Sequence, residues 1–144
     1  MSDFVLDPRL MADARTLGDL ALSRLLLMDD ARYPWLILVP RRAGVLELCD
    51  LSDADQRQLM LELSLVMRRV RERILPDKLN VAAIGNLVPQ LHLHVVARFT
   101  DDDEWPRPVW GLGEARPYSP MALAARIREL SPDTLPGFSP HEAA

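Results

Sequence analysis

From Gln90 to Val96 the sequence reads Gln-Leu-His-Leu-His-Val-Val, an alternation of polar and apolar residues. This alternation is typical of a β-strand, because successive side chains point to opposite faces of a sheet. Gln90, His92 and His94 then share one face, and the apolar residues between them pack on a core. The pattern predicts two imidazoles roughly 6 to 7 Å apart that face a surface or a cleft. The alternative is a half-exposed strand that carries a structural pair of histidines.

Length and composition indicate one ordinary globular domain. The chain has 144 residues, a formal net charge of -4 and a single cysteine, Cys49. One domain over residues 1–144 is therefore expected, with its core at about 20–100 and a C-terminal extension at about 101–144. The absence of a 20-residue apolar run and of a secretory signal predicts a cytoplasmic protein that does not bind membranes. The acidic balance argues against broad nucleic-acid binding.

Periodicity and turn residues predict an α+β domain with a largely antiparallel sheet. Asp7-Pro8 is typical of a helix start and Gly18-Asp19 of a turn, and four acidic residues near Trp105 are expected to be solvated. The tail after residue 130 is rich in proline and small residues. In order, the predicted elements are a short helix to about 14, strands at 22–28 and 35–39, a long helix from Ser52 to Pro76, strands at 79–84 and 91–98, and a helix from Ser119 to about 130.

In this context the chain resembles the histidine triad (HIT) superfamily, whose motif is His-φ-His-φ-His-φ-φ with φ apolar. Gln90 occupies the place of the first histidine. The block that leads into the motif contains Asn80, Gly85-Asn86 and Pro89, and it is similar to the corresponding block of bacterial HIT hydrolases. The order of the elements agrees as well. The resemblance covers about residues 20–100.

The resemblance implies a five-stranded antiparallel sheet with one long helix and short terminal helices. It also implies a homodimer in which two such sheets are continuous. The activity implied is hydrolysis or transfer of a nucleotidyl group at an α-phosphate, without a cofactor. Dinucleoside polyphosphates, nucleoside phosphoramidates and nucleotidyl conjugates are all candidate substrates.

The catalytic residues implied by the resemblance are His92, His94, Gln90 and Asn86. His92 is the nucleophile, because a neutral imidazole offers one lone pair while the other nitrogen donates to a fixed acceptor. His94 then donates to a phosphate oxygen or holds the nucleophile, and Asn86 lies near the scissile bond. Gln90 keeps hydrogen-bonding groups but cannot become cationic or pass a proton.

Three further residues are candidates for nucleotide binding. The resemblance places Asn80 near the phosphate or ribose and Asp29 on the ribose hydroxyls, and Arg98 shares the strand face of His92. Asp29 is equally well explained as a turn residue, and Arg98 as an exposed charge at the end of a strand. Trp105 and Trp110 either shape the mouth of the site or anchor a loop or dimer contact.

Two other functions compete with the enzyme hypothesis. A nucleotide-binding module with little catalysis is the first, because Gln90 replaces a motif histidine. A metal site on His92 and His94 is the second, but a catalytic zinc normally has three protein ligands. His141 lies in the C-terminal tail, and no acidic residue has suitable spacing, so no metal is expected.

Overall fold

The computed structural model describes residues 3–141, and the ends of the predicted domain (1–2 and 142–144) lie outside the described residues. Within residues 3–141, three α-helices and six β-strands follow one another, with short 3₁₀ turns at Leu48–Asp50 and Pro132–Thr134. In chain order they are α1 (Pro8–Asp13), β1 (Ala14–Asp19), β2 (Ser23–Met28), β3 (Trp35–Pro40), α2 (Asp53–Ile74), β4 (Lys78–Ala82), β5 (Leu93–Arg98), α3 (Pro120–Leu130) and β6 (Ser139–Pro140). Within this part of the chain, no helix is long and apolar enough to cross a membrane.

The strands form one antiparallel sheet in the order β4-β5-β3-β2-β1-β6. The α+β class, the antiparallel sheet and the long helix predicted from the sequence are confirmed. Both long helices begin where the sequence indicates, since Ser52 and Ser119 accept hydrogen bonds from backbone N–H groups of the first turns. The sixth strand is the main addition to the predicted sheet.

The prediction of a turn at Gly18-Asp19 is wrong, because both residues lie in β1. The turn follows them, where the buried Glu62 carboxylate accepts from the N–H groups of Leu22 at 2.7 Å and Ser23 at 2.9 Å. Gly18 instead marks a register shift in the β1–β2 ladder. A Cβ there would lie 2.2 Å from the carbonyl oxygen of Ser139. The glycine thus permits β6 to approach β1.

The core lies on both faces of the sheet. Helix α2 covers one face with Leu59, Leu63, Val66 and Val70, which belong to one apolar cluster with the leucines of β2 and β3. A second cluster on the opposite face contains residues of α1 and the indole of Trp35. Strand β5 is buried along its whole length between these layers.

The strand that carries the histidine motif is shorter than predicted. It begins at Leu93, so His92 precedes the strand and His94 lies within it. Strand β4 also ends early, at Ala82, and the chain then forms a loop to Leu91. Gly85 turns this loop with a φ of 71°, a value that glycine adopts without steric cost.

Candidate active site

His92 is held in one orientation by the backbone. The side chain is 6% exposed, and its Nδ1 lies 2.7 Å from the carbonyl oxygen of Gln90. Because a carbonyl can only accept, Nδ1 carries the proton and donates it. In the neutral ring the lone pair is then on Nε2, which is the tautomer a nucleophilic imidazole requires.

His94 has the opposite arrangement. Its Nδ1 accepts a hydrogen bond of 3.0 Å from the indole Nε1 of Trp35, which can only donate. The proton of the neutral ring therefore sits on Nε2. Burial, together with the neighbouring His92 at a ring-centroid distance of 4.8 Å, lowers the pKa of His94 from 6.5 to about 3. His94 is thus a neutral N–H donor at physiological pH.

Two tryptophans surround the His94 ring. The Trp35 ring centroid lies 5.6 Å from that of His94 and the Trp110 centroid lies 5.4 Å from it, both in edge-to-face geometry. Trp110 lies in the wall of the cavity that His92 and His94 border, where sequence reasoning had left its role open. Trp35 was missed, because its contact depends on the pairing of β3 with β5. That pairing puts Trp35 opposite Val96, and so diagonally across from His94.

The side chain of Gln90 binds the N-terminal segment. Its amide nitrogen donates to the carbonyl oxygen of Val5, and its oxygen accepts from the N–H of Asp7, both at 2.9 Å. The amide of Gln90 thus pairs with one backbone C=O and one backbone N–H, which point to the same side of an extended segment. The residue that departs from the motif therefore fastens the start of the chain beside His92.

The two histidines border small cavities lined by the loop between β4 and β5. A cavity of about 380 Å³ is lined by His92, His94, Trp110, Gly111 and residues 84–88, which include Asn86. A smaller one of about 100 Å³ lies against His92 and Gln90. Among the described residues, no arginine or lysine lines either cavity.

Asp29 lies at the end of β2, in a neighbouring cavity of about 430 Å³ that shares Gly111 with the histidine cavity. Trp35 lines this cavity as well. One Asp29 oxygen accepts from the N–H of Tyr118 at 2.8 Å, and the other lies 3.5 Å from Arg15. The carboxylate is therefore oriented, half-buried and adjacent to the histidines.

Asn80 and Arg98 are brought together, but away from the His92 cavities. Arg98 is 1% exposed; it donates to Asn80 at 2.9 Å and to both Asp102 oxygens at 2.8 and 2.9 Å. The alternative explanation of Arg98 as an exposed charge at the end of a strand is thus wrong. The expectation of a solvated acidic run is wrong for Asp102. Burial alone would raise its pKa, but Arg98 and two backbone N–H groups hold the pKa below its ordinary value.

The C-terminal extension forms a wall of the site. Asp30 accepts from the N–H of Arg116 and pairs with the buried Arg32, which also donates to the carbonyl oxygen of Leu112. Desolvation would raise the pKa of Asp30, but Arg32 lowers it below its ordinary value. These bonds hold residues 109–117 against both the Asp29 cavity and the histidine cavity.

The described residues contain no group of three or more His, Cys, Asp or Glu side chains that could hold a metal ion. His141 lies far from the motif, since its N–H donates to Leu17 beside the short strand β6. The predicted tail is therefore partly paired to the sheet.

Comparison with known proteins agrees with this architecture. A family model described as the HIT domain matches residues 9–101. The histidine triad protein blr8122 from Bradyrhizobium japonicum is 48% identical, with a TM-score of 0.87 and coverage of 89% of this chain and 96% of that chain. The histidine triad protein from Marinobacter aquaeolei VT8 is 43% identical, with a TM-score of 0.85 and coverage of 88% and 95%.

A more distant structure shows the same fold. It is a hypothetical histidine triad nucleotide-binding protein, ST2152 from Sulfolobus tokodaii, with 10% identity, a TM-score of 0.62 and coverage of 81% of this chain and 80% of that chain. A comparison with curated protein sequences found no match. The family match spans most of the chain, and the resemblance first drawn from the motif is confirmed. The chain therefore belongs to the histidine triad (HIT) family.

Proposed function

We propose that this protein is a nucleotidyl hydrolase or transferase that acts at an α-phosphate through His92. HIT proteins are generally nucleotide-binding hydrolases and transferases, and this chain carries their domain. The observation that carries the proposal is the 2.7 Å bond from His92 Nδ1 to the Gln90 carbonyl, which in the neutral ring puts the proton on Nδ1 and the lone pair on Nε2. A buried imidazole held in that tautomer beside a cavity is prepared for nucleophilic attack.

The reaction proceeds in two displacements. Nε2 of His92 attacks the α-phosphorus, a P–N bond forms, and the bond to the leaving group breaks as that group takes a proton from solvent. The nucleotidyl-imidazole is cationic, and the Gln90 carbonyl stabilises it through Nδ1–H. Water or an acceptor hydroxyl then attacks phosphorus and loses its proton, and the P–N bond breaks to restore neutral His92.

The surrounding residues bind and orient the nucleotide. Asn86 and the Nε2–H of His94 donate to phosphoryl oxygens from the wall of the same cavity. The oriented carboxylate of Asp29 accepts from the ribose hydroxyls in the adjacent cavity. Asn80 and Arg98 act indirectly, because their shared hydrogen bonds support the end of β5.

Kinetics with a panel of adenosine 5′-phosphoramidate and diadenosine polyphosphates tests the proposal. His92→Ala is expected to lower kcat by at least about a thousandfold, as removal of a covalent nucleophile does. His141→Ala is the matched control and should keep full activity. Mass spectrometry of a quenched reaction should show a nucleotidyl adduct on His92. The proposed reaction through His92 would be refuted by turnover that survives in His92→Ala. It would also be refuted if the folded wild-type protein turned over no substrate of the panel.

A nucleotide-binding module with little catalysis is the second candidate. The observation that favours it is the Gln90 side chain, which is engaged with Val5 and Asp7 and cannot transfer a proton. Calorimetry that measures nucleotide affinity without turnover supports this candidate. Gain of activity in Gln90→His would show that the missing histidine is the cause.

We also infer that the protein is a homodimer. Strand β4 is an outer strand of the sheet, and it carries the exposed Val81; Ile84 and Leu87 in the loop that follows it are also exposed apolar residues. An unpaired edge of this kind pairs readily with a second copy. Light scattering should give twice the monomer mass, and Val81→Lys should reduce it. The single domain over residues 1–144 and the cytoplasmic location stay predictions.

A further inference from the structure

Trp35 makes the one side-chain hydrogen bond found on the His94 ring within the described residues. The indole lies in β3, is 6% exposed, and donates to His94 Nδ1 at 3.0 Å. Its ring also packs edge-to-face on Tyr33 at 6.4 Å and on Trp110 at 6.1 Å. Packing on two sides and a backbone in the sheet centre leave the indole N–H little freedom to move.

The neighbouring histidines have different partners at the same ring atom. Nδ1 of His92 donates to a carbonyl, whereas Nδ1 of His94 accepts from an indole. As a consequence, when both rings are neutral, Nε2 of His92 offers a lone pair and Nε2 of His94 offers a hydrogen. Protonation of His94 would place an N–H against the N–H of Trp35 and would break their bond.

We propose that Trp35 is a positioning residue that holds His94 in the Nε2–H tautomer, so that His94 serves as a fixed neutral donor beside the His92 nucleophile. The role of the donor in catalysis rests on the proposed function, whereas the tautomer does not. His94 then stabilises charge on a phosphoryl oxygen without giving up its proton. Because His94 is neutral, it places no positive charge beside His92 that would attract the Nε2 lone pair needed for attack on phosphorus.

Long-range ¹H–¹⁵N correlation spectra of the free protein test the tautomer directly. The chain has three histidines, so His94 can be assigned by its loss in His94→Asn. The expected wild-type spectrum shows His94 protonated on Nε2 and His92 protonated on Nδ1. A wild-type His94 protonated on Nδ1 or on both nitrogens near neutral pH would overturn the proposal.

Trp35→Phe removes the donor and keeps an aromatic ring. We expect its His94 to lose the single Nε2–H signature and to show a mixture of tautomers. Trp105→Phe is the matched control, because Trp105 packs under Arg98 and lines neither His92 cavity; its His94 spectrum should equal that of the wild type. An unchanged Nε2–H tautomer in folded Trp35→Phe would refute the positioning role.

Kinetics then separate positioning from general loss of structure. Trp35→Phe is expected to lower kcat about tenfold, which corresponds to about 1.4 kcal/mol, with KM changed less than about twofold. Trp105→Phe should change neither constant. Tautomers as expected with no turnover on any substrate would support the positioning of His94 and refute the proposed function. Turnover that depends on His92, together with an unaltered tautomer in Trp35→Phe, would support the proposed function and refute the positioning role of Trp35.

Discussion

Lowering the pH from about 7.5 to about 4.5 is expected to destabilise the folded protein through His94. The unfolded chain protonates this histidine below its ordinary pKa of 6.5, whereas burial and the neighbouring His92 lower the pKa in the folded protein to about 3. The unfolded state therefore binds more protons in this window, and the free energy of unfolding falls as the pH falls. The contribution of the neutral His94 to the free energy of unfolding is fully present above about pH 6.5.

The magnitude follows from the difference between the two pKa values. At about pH 4.5 an unfolded His94 is almost fully protonated and the folded one is neutral, which corresponds to a loss of about 2 to 3 kcal/mol. That is a large share of the total stability of an ordinary domain, about 5 to 15 kcal/mol. Other titrating groups also change the free energy of unfolding with pH, so the contribution of His94 is obtained from the difference between the wild type and a variant without this histidine.

Urea unfolding at a fixed protein concentration measures this loss in matched variants. His94→Asn replaces the ring by a group that does not titrate and whose oxygen can still accept from Trp35. Its loss of stability between the two pH values should be about 2 to 3 kcal/mol smaller than that of the wild type. His141→Asn removes an exposed histidine and should keep the wild-type slope. Equal slopes in His94→Asn and the wild type would refute the neutral buried state.

Three further substitutions test contacts that position the site. Gln90→Ala should cost about 1 kcal/mol and expose the N-terminal segment to limited proteolysis; an unchanged cleavage pattern would contradict the two hydrogen bonds seen there. Asp102→Asn leaves the buried Arg98 without its carboxylate and should cost about 3 to 5 kcal/mol in urea unfolding, while the exposed Asp101→Asn should cost little. Gly18→Ala places a Cβ 2.2 Å from a carbonyl oxygen of β6 and should lower stability by about 1 to 3 kcal/mol; an unaltered Tm would show that β6 is not packed there.

Local sequence signals predicted the parts of the fold that local chemistry determines. The N-caps Ser52 and Ser119 fix the starts of α2 and α3, as their positions indicated. Gly18 was misassigned as a turn, because a glycine required by the close approach of a distant strand looks the same in sequence as one required by positive φ. Strand β6 was missed for a related reason, since a two-residue strand has no periodicity of its own.

The candidate site also combines residues that a contiguous motif identifies with residues that only the folded chain brings together. His92 and its loop were found, because the motif and the approach block are contiguous in sequence. Trp35 lies 59 residues from His94, and the alternation pattern carries no information on which strand pairs with β5. Arg98 shared a face with the motif by strand periodicity, but its charge is satisfied by Asp102, four residues further along the chain. Long-range strand pairing therefore decided the case of Trp35, whereas the carboxylate partner of Arg98 lies close in sequence.

Gln90, which stands where the motif has its first histidine, contacts the site with its backbone and the N-terminal segment with its side chain. The backbone carbonyl holds Nδ1 of His92, and every residue type supplies such a carbonyl. The side chain, in contrast, contacts only the backbone of Val5 and Asp7 among the described hydrogen bonds. The orientation of the His92 ring therefore does not depend on the Gln90 side chain. Relative to the motif the site lacks a third imidazole, while His92 keeps the carbonyl partner of its Nδ1 and His94 keeps the indole donor of Trp35.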